Sequence, residues 1–299
     1  MKVLFINIYM HEKNEKSLFK YTNIELYIIN NTKQLLTTNF EDYDLIYSPA
    51  IIIDARRYPK TRFMFGPHVS VFPDKRISEI CGLKNVVYIQ PSEWARAAWK
   101  NNPICNNLNI KVVPFSVDTD TFSPIEIDET QKNDVFIYFK RRHPMELDAL
   151  RNFFNTKGIK VRIFDYVQKY TEKDYLNFLQ KHAKYGVWLG SHESQGFALQ
   201  EALSCDVPLL VWNATSMNQE YGGNLPDINC TTVPYWDSRC GEQFSMFYEL
   251  DRIFEEFIEN IETKKYRPRE YILENLTTEV CEKYFIDAYD SIESNTQFQ

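Results

Sequence analysis

Short apolar runs alternate with amphipathic stretches along almost the whole chain, and this alternation limits the fold more than any other feature. Val3–Ile8, Ile24–Ile29, Leu45–Tyr47, Arg62–Phe65, Val86–Ile89 and Lys111–Val113 read as strands. Their near-continuous apolar character is that of strands covered on both faces. Glu15–Tyr21, Arg76–Cys81 and Glu93–Asn101, the last behind Ser92 as its cap, read as helices. The pattern stops between Pro114 and Lys132, an acidic, threonine-rich tract with no clear period. It then restarts. Asp134–Phe139, Lys160–Phe164, Gly186–Leu189 and Leu209–Trp212 read as strands, with helices at Pro144–Lys157, Glu172–Lys181 and Gly196–Ser204 between them. Leu225–Tyr235 is the candidate for one more strand. Phe244–Asn260 reads as a long amphipathic helix, and Arg269–Asn275 and Thr278–Ile292 as the closing helices. Strands alternating with helices imply an α/β class with mostly parallel sheets. The expectation is two Rossmann-like βαβ halves, residues 1–116 and 134–275, with a linker at 117–133 and a C-terminal helical segment, 276–299, packing back on the first half.

Composition narrows the function classes. With 44% apolar residues the chain can bury a core, so disorder is not expected. A net charge of -7 argues against a nucleic-acid-binding surface. No apolar run reaches the length of about 18 residues that a membrane helix needs. Met1–Tyr9 lacks a small-residue cleavage site and is read as a first strand, not as a signal peptide. Cys81, Cys105, Cys205, Cys230, Cys240 and Cys281 show no CxxC pairing, which suits reduced thiols and a cytoplasmic location.

Chemistry concentrates between Tyr185 and Pro208. An apolar strand ends at Leu189, a polar loop runs from Gly190 to Gln195, and a helix begins near Gly196. Ligands of α/β sheets sit at the carboxyl ends of strands, and a helix N-terminus offers N–H groups to an anion. Gly196 permits close approach of the backbone. Glu193 lies in the loop and Glu201 about one and a half turns into the helix. Carboxylates accept hydrogen bonds from sugar hydroxyls. Two of them around a phosphate-binding turn suit a molecule with phosphates in the middle and hydroxyl-rich rings at both ends, as in a nucleotide-sugar. A surface carboxylate pair on an ordinary strand–helix unit is the plainer alternative.

Glu193-Ser-Gln-Gly-Phe-Ala-Leu-Gln-Glu201 resembles the E-x7-E donor motif of retaining GT-B glycosyltransferases, with Gly196-Phe197 in place of the usual Phe-Gly order and Asp206 where glycine is common. The resemblance implies two Rossmann-like domains facing across a cleft. It implies that Glu201 binds the ribose hydroxyls, that Glu193 contacts the transferred sugar, and that the amides of Gly196, Phe197 and Ala198 face the pyrophosphate. Val113-Pro-Phe-Ser-Val-Asp-Thr-Asp-Thr-Phe-Ser-Pro124 resembles the segment joining the two domains of that family, and it falls at the break in periodicity. In that setting Asp118-Thr119-Asp120 ties the hinge; a metal-binding D-x-D is the other reading, and no metal site is assigned.

Lys140, Arg141 and Arg142 follow the first strand of the second half. Lys140 and Arg141 are the candidates to clamp a pyrophosphate and neutralise a leaving diphosphate, with Arg142 turned outward; a solvated basic turn is the alternative. His68, after the strand Phe63–Phe65, is the candidate histidine near the transferred sugar, as hydrogen-bond donor or base. Gln90–Ala95 resembles the turn lining the acceptor side, with Ser92 there as a helix cap. The family's glycine-rich loop after the first strand is replaced here by the glycine-free Asn7–Asn14. The expected reaction moves a sugar from a nucleoside diphosphate to a hydroxyl of a glycan or glycosylated acceptor, with retention, no metal and no cofactor. A lipid-linked acceptor would require only a peripheral membrane patch. A sugar-nucleotide epimerase on the same fold and a non-catalytic nucleotide- or carbohydrate-binding module are the rival readings.

Overall fold

The computed structural model describes residues 1–70, 72–127, 132–168 and 170–293. Residues 128–131 of the expected linker and 294–299 of the expected C-terminal segment lie outside them. The chain divides into two compact units, Met1–Ser116 with the chain from Thr278 onward, and Val117–Thr277.

The first unit is built on β1 (Lys2–Ile6), α1 (Glu12–Phe19), β2 (Glu25–Ile29), the short α2 (Thr32–Leu35), β3 (Leu45–Ser48), β4 (Phe63–Phe65), β5 (Val86–Gln90), α3 (Glu93–Lys100) and β6 (Ile110–Val112). Its strands form one parallel sheet in the order β2-β1-β3-β4-β5-β6. The apolar strands earn this place because β3, β4 and β5 are buried along their whole length. Arg76–Cys81 forms only a 3-10 turn, Ile77–Glu79, in place of a helix. Its side chains, notably Ile77 and Ile80, fill the core and need no further turn to do so.

The second unit contains β7 (Asp134–Lys140), α4 (Pro144–Thr156), β8 (Val161–Asp165), α5 (Glu172–Lys181), β9 (Ala183–Gly190), α6 (Phe197–Ser204), β10 (Leu209–Trp212), β11 (Gly241–Phe244), α7 (Leu250–Glu262) and α8 (Pro268–Asn275). Its sheet is also parallel, in the order β11-β10-β9-β7-β8. The strand expected within Leu225–Tyr235 is absent; that stretch is irregular apart from one bridge, Ser216 to Asn229. The fifth strand is Gly241–Phe244, and the helix expected from Phe244 starts at Leu250. Gly241 explains why the sequence hides this strand. Its φ is 134°, and a Cβ there would run into the Leu209 carbonyl, so the close approach of β11 to β10 demands glycine at a position that reads as a breaker.

The last helix, α9 (Thr278–Asp290), belongs to the first unit. Phe285 packs edge-on against Tyr21 and Tyr47, and Glu282 accepts the Asn23 backbone N–H. In the second unit Arg269 holds the entry of the chain: its guanidinium donates to the carbonyls of Thr119, Phe122 and Ser204. Asp118 accepts from Thr121 Oγ1 at 3.0 Å, tying this turn. Asp206 adopts φ 61° and accepts the Arg269 N–H at 3.1 Å. Aspartate tolerates the left-handed region better than most residues, and here its side chain also serves the start of α8.

Candidate functional site

β7 and β9 lie side by side in the second sheet, with Lys140 paired in register to Gly190. That pairing brings the basic turn after β7 against the polar loop after β9, at the carboxyl edge where α/β sheets hold ligands. The loop runs from Ser191 to Gln195 and turns into α6 through Gly196, whose φ is 83°. Glycine adopts this conformation without steric cost. Phe197 and Ala198 open the helix, so the positive end of its dipole lies beside Glu193 and Lys140. Glu193 is anchored by its own N–H, which donates to Thr231 O at 3.0 Å. Its two carboxylate oxygens receive Lys140 Nζ at 2.7 and 2.9 Å. The ammonium also lies 4.8 Å from the centre of the Tyr166 ring.

Glu201 is 4% exposed. It and Glu193 act on the same pair of phenols. Burial drives the Tyr138 hydroxyl far above its ordinary range, and Tyr170, Glu193 and Glu201 add to the rise. Tyr170 is pushed up to about 12, by burial first and then by Glu201 and Glu193, against the hydrogen bond that it shares with Tyr138. The two hydroxyls are 3.0 Å apart. Glu193 and Glu201 thus both bear on a neutral tyrosine pair, and Lys140 and Gly196 adjoin Glu193. Sequence reasoning missed both tyrosines; Tyr138 sits within the apolar run Val135–Phe139 and reads as core.

Arg141 has φ 51° and reaches Glu220, its Nη1 donating to Oε1 at 3.1 Å. Glu220 was not singled out in the sequence either. It lies outside the strand–helix units, and no spacing connects it to the motif. Arg142 corrects an expectation: it is not turned outward but is 1% exposed, one of the largest fully buried side chains. It donates to the carbonyls of Gly190 and Trp212, each at 3.2 Å, and pairs with Glu146 through Nε at 2.9 Å and Nη2 at 2.6 Å. Its guanidinium lies 5.4 Å from the Trp212 ring centre. The carbonyls ending β9 and β10 have no further strand neighbour there, and a planar cation with several donors satisfies both. Arg142 therefore holds the strand ends, while Lys140 and Arg141 stay at the site.

In the first unit, His68 Nε2 is 2.9 Å from Asn14 Nδ2. The amide nitrogen only donates, so Nε2 accepts and Nδ1 carries the proton. Burial, with His11 nearby, pulls the His68 pKa down to about 4 from 6.5. The unfolded chain takes up this proton near pH 6.5 and the folded chain only near 4, so stability falls as pH drops through that window. His68→Gln is expected to flatten this loss by about 1–3 kcal/mol, read from urea unfolding at pH 7 and pH 4.5. An equal loss in both proteins would refute the assignment. Ser92 occupies the cap position of α3, yet its hydroxyl makes no capping hydrogen bond and is buried, which corrects the cap expected there. Tyr9, in the glycine-free loop, takes φ 63° and is largely exposed.

Among the described residues, no group of three or more His, Cys, Asp or Glu side chains could hold a metal ion, and no helix is long and apolar enough to cross a membrane. All six cysteines are free thiols.

No family profile and no curated protein matches the chain. Solved structures do. The apo form of the lipopolysaccharide outer core galactosyltransferase WaaB matches over 97% of this chain and 99% of its own, at 13% identity and a TM-score of 0.52. A GtfA/B complex matches 87% of this chain and 59% of its own, at 14% identity and 0.48. The UDP-GlcNAc 2-epimerase of Methanocaldococcus jannaschii matches 96% and 99%, at 12% identity and 0.47. The first of these likenesses, with the two parallel sheets of six and five strands, establishes the GT-B fold.

Proposed function

We propose that the chain is a glycosyltransferase that moves a sugar from a nucleoside diphosphate to a hydroxyl of a glycan or glycosylated acceptor, with retention and without a metal. The observation that carries this reading is the Lys140–Glu193 ion pair at the carboxyl edge of β7 and β9, beside the Gly196 turn into α6, the helix that also carries Glu201. The donor diphosphate lies on the N–H groups of Gly196, Phe197 and Ala198, with Lys140 and Arg141 beside it. Glu201 accepts the ribose hydroxyls and Glu193 the hydroxyls of the transferred sugar. As the bond from the anomeric carbon to the diphosphate oxygen breaks, negative charge collects on the leaving group, and fixed cations with a helix end stabilise it without reorganising. The acceptor oxygen bonds to the anomeric carbon on the face the diphosphate leaves, and its proton passes to the departing phosphate. His68, a neutral imidazole, is suited to donate to a sugar hydroxyl through Nδ1 and is a weak base.

The test is release of nucleoside diphosphate from a panel of nucleotide-sugars, with and without hydroxyl acceptors. Release that depends on acceptor supports transfer; conversion of the donor sugar without acceptor would identify an epimerase instead. Glu201→Gln is expected to weaken nucleotide-sugar binding by about 10- to 100-fold, the worth of a charged hydrogen bond. Unchanged affinity in calorimetry would remove Glu201 from the donor site.

A further inference from the structure

We propose that Glu220 is a positioning residue of this site, one that sets Arg141 for the donor diphosphate; the assignment rests on the donor-site reading above. Glu220 follows the 3-10 turn Met217–Gln219, far in sequence from the motif. The turn is locked from within. Gln219 Oε1 accepts the N–H groups of Thr215 and Ser216 at 2.7 and 2.9 Å, and Ser216 Oγ donates to Asp227 at 2.5 Å. Two consecutive residues then grip Arg141. Glu220 takes its guanidinium, and the Tyr221 N–H donates to its main-chain carbonyl at 2.8 Å. The Tyr221 ring packs edge-on against His143, two residues further along the basic turn. Arg141 carries a left-handed backbone that a side chain adopts reluctantly, so the turn needs such an external hold.

The orientation of the pair indicates what the hold is for. The Glu220 side chain is 11% exposed and that of Arg141 52%. The carboxylate is largely buried and engaged at both oxygens: Oε1 by Arg141, Oε2 by the Ser191 hydroxyl at 3.3 Å, with His192 Nδ1 at 3.6 Å. The guanidinium gives this acid one Nη1 donor and lies 5.9 Å from the Tyr166 ring centre, and half of the side chain is exposed, so it has further donors to offer an anion. Lys140 differs, since its ammonium meets both oxygens of Glu193. Glu220 thus supports a cation from behind and ties the loop after β9 to the turn after β7 through one carboxylate. A carboxylate aligning a guanidinium removes rotamer freedom that an anionic ligand would otherwise have to freeze on binding.

The experiment uses the full chain and three probes, UDP, GDP and ADP, with Kd measured by calorimetry for whichever binds. Glu220→Gln keeps the shape and removes the charge; it is expected to raise Kd about tenfold, within the range of coupled neighbours. Glu220→Asp, which keeps the charge, should recover part of that loss. In an Arg141→Ala background Glu220→Gln should add nothing, because its effect passes through Arg141. Thermal unfolding separates a merely structural role, which would lower stability equally in both backgrounds and leave the recovery by aspartate unexplained. Binding by Glu220→Gln as tight as wild type or tighter would mark Glu220 as a competing anion and overturn the proposal, as would full additivity with Arg141→Ala. If the wild-type chain binds none of the three probes, the donor-site reading falls together with it.

Discussion

Lys140→Ala is expected to lower turnover by about 100- to 1000-fold, the usual consequence of removing one preorganised group that meets charge developing in the transition state. Two features make the effect large. Lys140 is the last residue of β7, and its main-chain carbonyl accepts the Ser191 N–H at 2.9 Å, so its backbone is fixed by the sheet. Its ammonium is held by Glu193 at hydrogen-bond distance from both oxygens, and its side chain is 20% exposed. A cation fixed in this way costs little to align as the diphosphate leaves. Its loss also removes the ammonium that meets both oxygens of the Glu193 carboxylate. Donor affinity should fall less than turnover, since the helix end and Arg141 remain. Steady-state kinetics with saturating donor checks the split; a variant with wild-type turnover would exclude Lys140 from leaving-group stabilisation.

Arg142→Met is the larger change for stability, with an expected loss of about 2–4 kcal/mol. The substitution keeps much of the apolar packing against Trp212 but takes the guanidinium from the Trp212 carbonyl and leaves that of Gly190 with only the Thr232 hydroxyl, at 3.3 Å. Unsatisfied buried acceptors carry their full desolvation cost. Glu146, 25% exposed, can turn to water and contributes less. Arg142→Lys should recover little, because one ammonium cannot reach two carbonyls and a carboxylate in the same plane. Urea denaturation measures this directly; a loss below about 1 kcal/mol would show that water replaces the guanidinium at the strand ends.

The strands were legible because burial on both faces writes an apolar run into the chain, and Val86–Gln90 or Leu209–Trp212 admit no other environment. The class of fold followed from their alternation with helices. β11 was not legible, because Gly241 satisfies a steric demand imposed by a strand distant in sequence. The loop after β9 stood out as a candidate because its carboxylates, glycine and helix start are contiguous in the sequence. Arg142 was misread for the converse reason. A third cation in a row looks like solvated charge until the strand ends that it serves are placed beside it. Glu220 and the tyrosine pair were invisible because only the pairing of β7 with β8 and β9, and the return of an irregular loop, assemble them.

The return of α9 to the first unit has a consequence for biosynthesis. A ribosome releases residues 117–277, the whole of the second unit, before it releases the helix that covers Tyr21 and Tyr47. The unit that begins the chain is therefore completed last, and its aromatic surface stays open while the later unit is already closed. A nascent chain in that state offers chaperones a specific hydrophobic target, and truncation just before Thr278 should leave the second unit folded while the first becomes prone to aggregation.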